Sequence, residues 1–198
     1  MRKRLSLNSL CVSDFFTKSL FLTSLFITSI FTTPLFINQA HAGTVTVKWQ
    51  EPDEYTDIRS GDSGKTQFRK NVFNQLEKHL VKLISKLPED FELQIKVTNL
   101  NLAGQVEYNF GMSRDIRIVK GFYWPMIEFE YQVLVNKQKV KIETVKLKDM
   151  AFMSRGGSNR LSHDTYYYEK RLLTDWFNKN IENMVPAWQE QQNAIMGK

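Results

Sequence analysis

Apolar and polar residues alternate from Thr44 to Trp49, with Val45, Val47 and Trp49 on one side. Alternation of this kind predicts a strand with one buried face. Residues 51–64, EPDEYTDIRSGDSG, break the pattern and read as loop. Over 65–87 the spacing changes: Phe68, Val72, Phe73, Leu76, Leu80, Leu83, Ile84 and Leu87 recur at three and four. That spacing predicts one amphipathic helix, stopped by Pro88, with Lys70, Glu77, Lys78 and Lys82 on its wet side.

Phe91, Leu93, Ile95 and Val97 alternate again, and Leu100 and Leu102 continue out of phase, so a bulge is expected near Thr98-Asn99. DIRIV, residues 115–119, reads as a third, shorter strand. Ile127, Phe129, Tyr131, Val133 and Val135 line one face of the clearest strand, and Val140 and Ile142 open its hairpin partner after a turn at Lys137-Gln138. In that register Val135 faces Val140 and Val133 faces Ile142. A second bulge at Thr144-Val145 is then needed to set Phe129 opposite Leu147, which puts Glu130 against Lys146 and Glu128 against Lys148 on the other face. A last helix is expected over 164–185, ended by Pro186 and capped by Asp164. Its buried rows are Tyr168, Leu172 and Trp176, then Leu173, Phe177 and Ile181.

These elements predict a single α+β domain over 43–186. Its mostly antiparallel sheet of about five strands carries two amphipathic helices on one face and leaves the other face largely open. Residues 187–198 read as a polar C-terminal tail.

The N-terminus belongs to a different class of segment. MRKR and Lys18 precede an apolar run, LFLTSLFITSIFTTPLFI over 20–37, and NQAHAG follows with a small-x-small site. This is the pattern of a secretory signal peptide over 1–42, with cleavage expected between Ala42 and Gly43 and the product in the periplasm. The competing reading is an uncleaved anchor, against which stand the seven Ser, Thr and Pro residues of the run. Cys11 lies before the run, whereas a lipoprotein cysteine would follow it.

Cleavage changes the composition. Residues 1–42 hold four of the 27 basic residues, one of the 21 acidic residues and the only cysteine. The remainder carries 23 basic against 20 acidic residues, a balance of +3, and no thiol. Charge that mild and that interspersed does not make a nucleic-acid footprint, and nucleic acid is not an expected partner. The expected partner is an envelope protein or a small ligand, with no stable membrane insertion after cleavage and no cofactor.

Candidate chemistry is sparse. Arg155, Gly156, Gly157 and Arg160 stand before the last helix like an anion cradle, but Asp164 would compete for the same donors and the phosphate-loop spacing is missing. Ser162, His163 and Asp164 supply the residue types of a hydrolytic triad, yet three consecutive side chains diverge. His79 and His163 lie too far apart in sequence to suggest a metal centre, and the loop acids Asp53, Glu54, Asp57 and Asp62 miss the alternating calcium spacing. Glu169, four residues before Leu173, lies at the end of the apolar stripe of the last helix and should be partly buried. A buried carboxylate wants donors, so a structural ion pair of Glu169 with Arg117 or Arg155, or a bond from backbone N–H groups, is expected.

LAGQVEYN from Leu102, DIRI from Asp115, WPMIEFEY from Trp124, KDMAFMSRGG from Lys148 and YYYEKRLLTDWF from Tyr166 together resemble the proteobacterial exported family catalogued as domain of unknown function three-zero-one-six. The resemblance spans about Val45 to Phe177. It implies an exported protein of gram-negative bacteria and brings no assigned activity or catalytic residue. Two functions follow as expectations: a non-catalytic binding or interaction module of the envelope, or an envelope hydrolase using carboxylates such as Asp149 and Glu169.

Overall fold

The computed structural model describes residues 42–62, 64–155 and 164–196. Strand β1, Thr44–Trp49, runs parallel to β2, Phe91–Asn101, in register at all six of its residues. Helix α1, Lys65–Ile84, makes the crossover between them. β5, Met126–Val135, pairs antiparallel with β2, and β6, Gln138–Lys148, pairs antiparallel with β5, giving the order β1-β2-β5-β6. β3, Gln105–Asn109, and β4, Arg114–Ile118, form a separate two-stranded antiparallel sheet.

The architecture is therefore mixed α and β, with four strands in one sheet and two in another instead of about five in one. The DIRIV stretch does carry a strand, begun one residue earlier and ended at Ile118, but it pairs with Gln105–Asn109 directly before it, and the two make a local hairpin arm. The bulge in β2 lies where the phase change puts it, between Val97 and Asn99, and it returns Leu100 to the core.

Alternate residues of β2 and β5 bury themselves against the helices. Leu93, Ile95 and Val97 meet Phe129, Tyr131 and Val133 in one cluster with Val72, Leu76 and Leu80 of α1 and Leu172, Trp176 and Phe177 of helix α2, Tyr167–Phe177. The intervening residues, among them Gln94, Lys96, Glu128 and Glu130, lie on the opposite face.

The β5–β6 hairpin departs from the expected register. Its turn is Asn136-Lys137, both with positive φ (51° and 64°), and Val135 pairs with Gln138. Positive φ at both central residues is the two-residue turn whose twist matches a hairpin. The bulge falls at Val140 instead of Thr144-Val145, and from Lys141 to Lys148 the ladder is unbroken. Val133 thus pairs with Lys141, Phe129 with Val145 and Glu128 with Lys146. Shifting the bulge leaves Val140 unpaired and exposed, and turns Ile142, opposite Gln132, onto the open face, where it is 67% exposed.

The last helical region also differs. Tyr166, with φ 60°, precedes α2 with no side-chain cap, while the Asp164 carboxylate accepts a bond from Lys170 Nζ at 2.6 Å instead of capping. A π-helical turn, Asn178–Glu182, leads to α3, Met184–Met196. Pro186 falls in the first turn of α3, where its missing N–H breaks no intrahelical bond, so it starts a helix instead of ending one. The expected polar tail is consequently helical up to Met196, and Trp188 sets its ring edge-on to Phe91 at 5.3 Å.

Candidate functional site

The stripe of α2 that buries Leu173 and Phe177 carries Glu169 with it, and this carboxyl is 2% exposed. Its Oε1 accepts a 2.6 Å hydrogen bond from the backbone N–H of Ala103, just past the end of β2. Burial pushes the pKa up, while the Ala103 N–H and the charges of Arg117 and Lys170 pull it back in part. Among the described residues Glu169 forms no ion pair.

Both arginines expected there are engaged elsewhere. Arg117, on β4, forks onto Asp57 with Nη1 to Oδ2 and Nη2 to Oδ1, each at 3.1 Å. Nη1 also donates to the Gly104 carbonyl at 2.8 Å and Nη2 to the Arg59 carbonyl at 2.9 Å. Asp57 in turn accepts from the Arg59 N–H, and its own backbone bonds on both sides to the end of β2, donating to Leu100 and accepting from Leu102. The side chain of Arg117 faces the loop because β4 belongs to the hairpin arm, and the bidentate pair ties that arm to residues 52–62. No local pattern signals this pair, whose members lie 60 residues apart. Two glycines allow the close approach: at Gly61 (φ 62°) a Cβ would meet the Asp115 carbonyl at 2.6 Å, and at Gly104 (φ 82°) the Ile118 carbonyl at 2.5 Å.

Arg155 belongs to a second cluster. It donates to Asp149 Oδ2 at 3.2 Å and lies 3.5 Å from Asp175, while Arg171 donates to the same Asp149 oxygen at 2.9 Å and to the Phe152 carbonyl at 2.8 Å. Asp149 Oδ1 accepts from the Ala151 N–H. Arg171 also lies over the rings of Tyr167 and Tyr168. Arg155 is therefore drawn into a charge network with Asp149, Arg171 and Asp175. Gly156, Gly157 and Arg160, the rest of the expected anion cradle, lie outside the described residues, as do Ser162 and His163.

Three acids of the loop, Asp53, Asp57 and Asp62, are held by bonds within the chain. Asp53 accepts from Lys65 at 2.8 Å and Arg69 at 2.9 Å, bonds that hold its pKa down at about 2. Asp62 accepts from the Asp115 N–H. On α1, His79 Nε2 meets Thr174 Oγ1 at 2.8 Å, and burial lowers its pKa. No group of three or more His, Cys, Asp or Glu among the described residues is arranged to hold a metal ion, and no helix among them is long and apolar enough to cross a membrane.

The open sheet face holds a shallow depression of about 420 Å³, lined by Thr46, Lys48, Gln94, Lys96, Glu130 and Ile142 among others. Lys96 and Glu130 pair across it at 2.6 Å, and Gln132 donates to the Gln94 side chain. Neither Asp149 nor Glu169 lines this depression or the other described ones.

The arrangement defines a mixed α and β domain whose buried charges fasten one element to another. The family model described as "Protein of unknown function (DUF3016)" matches residues 43–179, and the chain belongs to that family. No curated protein and no solved structure matches the chain.

Proposed function

We propose that this chain is an exported, non-catalytic binding module of the bacterial envelope that engages a protein or small ligand through the open face of its sheet. One observation carries the reading. The two carboxylates best suited to hydrolysis, Asp149 and Glu169, are taken up by arginines and by a backbone N–H, and neither lines a described depression. General acid–base work needs a carboxyl that a substrate can reach. The basic start, apolar run and small-x-small site of residues 1–42 support export to the periplasm.

The second reading, a carboxylate-dependent envelope hydrolase, draws on the burial and raised pKa of Glu169, both common marks of catalytic acids. The bond to Ala103 gives that burial a structural use.

A photoreactive residue at Ile142 in the full chain, expressed in a gram-negative host, tests the binding reading. Discrete adducts from Ile142 are expected, with none from Lys179 on the helical side. Equal labelling at both positions, or none at either, would sink the proposal.

A further inference from the structure

The two edges of the main sheet are built differently. β6 is interrupted by the bulge at Val140 and studded with Lys139, Lys141, Lys146 and Lys148, devices that keep other strands from pairing with an edge. β1 has no bulge and one charge, Lys48. Gln50 N–H donates to the Val97 carbonyl at 2.9 Å. By alternation, Thr44, Thr46 and Lys48 also turn their backbone groups toward β2, and Val45, Val47 and Trp49 turn theirs outward. Among the described residues nothing else pairs with those outward groups.

We infer that β1 pairs antiparallel with β1 of a second copy of this chain across a two-fold axis at Val47. The outward residues are symmetric about Val47, so Val47 meets itself and Val45 meets Trp49 of the second copy, a β-branched residue against an aromatic one. On the open face Lys48 falls opposite Thr46, so the one charge on the strand meets no like charge. Lys70, Asn74, Glu77 and Val81 follow one another at helical spacing on α1, whose Phe73 stacks on Trp49 at 4.0 Å; Val81 is 53% exposed there. An isologous contact of this kind closes on itself, as two-fold interfaces do. Because Thr46 and Lys48 also line the open-face depression, the dimer sets two depressions side by side on one continuous sheet. This inference stands independently of what the face binds.

Sedimentation of the full chain, purified as it accumulates in the cell and run over a micromolar concentration series, should give the mass of two copies. Val47→Pro removes an outward N–H without touching the β1–β2 ladder and should give single copies. Two milder substitutions test the register itself. Thr46→Lys sets like charges across the axis and should weaken the dimer several-fold; Thr46→Glu faces Lys48 of the second copy and should tighten it. A single-copy mass at every concentration overturns the inference, and so does a dimer indifferent to both Thr46 substitutions.

Discussion

Glu169 on α2 and Ala103 at the end of β2 are joined by a 2.6 Å hydrogen bond between residues 66 apart in sequence, and the carboxyl that accepts it is buried. The partner is a backbone N–H, not an arginine, so Glu169→Gln keeps an acceptor in place. That variant should melt within about 1 kcal/mol of wild type, whereas Glu169→Ala strands a buried N–H at a cost of about 1–3 kcal/mol, with a cavity besides. Thermal melts of the two variants beside wild type check this. Equal losses in both would show that the charge, not the acceptor, matters.

The same group makes stability depend on pH. Its pKa is raised above 4.5 by burial, so the native state keeps a proton that the unfolded chain has released. Its stabilising contribution is complete below pH 4.5 and is lost as pH rises through the folded-state value. His79 works the other way: burial lowers its pKa below 6.5, so stability falls as pH drops from 6.5 through its folded-state value. Urea midpoints between pH 4.5 and 6.5 should therefore show Glu169→Gln gaining on wild type as pH rises. A constant difference across that range would contradict the assignment.

Asp57 and Arg117 hold the β3–β4 arm to the loop beneath it, and both side chains are largely shielded from water. Breaking a buried pair costs about 3–5 kcal/mol because the other charge is left behind. Arg117→Ala should thus lower the melting temperature, and hydrogen exchange should speed up first in residues 105–118. Exchange that accelerates uniformly across the chain would refute a local anchoring role.

Lys137 carries a positive φ of 64° at the second position of a turn that favours glycine. Lys137→Gly should stabilise the hairpin by about 0.5–1 kcal/mol, since a left-handed conformation costs a non-glycine residue about that much or more. A fall in melting temperature would mean that the Lys137 side chain makes a contact of its own.

Elements with strict periodicity were legible in the sequence. β1, α1, β2 with its bulge and β5 each show enough apolar repeats to fix both period and phase. β3 was not legible, because QVEYN offers only Val106 and Tyr108 and owes its strand to pairing with β4. The hairpin register failed for a related reason. Val140 and Ile142 look like core residues, but the turn at Asn136-Lys137 and the bulge leave Val140 unpaired and carry Ile142 to the open face, an outcome set by backbone geometry that hydrophobic spacing does not encode. Partial burial of Glu169 could be read from the stripe of α2; its full enclosure and its donor could not, because both come from tertiary packing that brings Ala103 to it.

The proposed export and cleavage before Gly43 are tested separately. Gly43 is buried, donates to the Leu87 carbonyl at 3.0 Å, and would press a Cβ against the Ile84 carbonyl at 3.0 Å. On this proposal the intact mass of the protein recovered from the periplasm should begin at Gly43, and a species retaining Met1 would overturn cleavage.

The claim that this domain binds without catalysing is tested most directly by mass spectrometry of isolated sacculi and periplasmic extract incubated with the purified protein. The account predicts no species beyond those in a control without protein. A new fragment that disappears with Asp149→Asn or Glu169→Gln, in a variant whose melting curve remains cooperative, would contradict it.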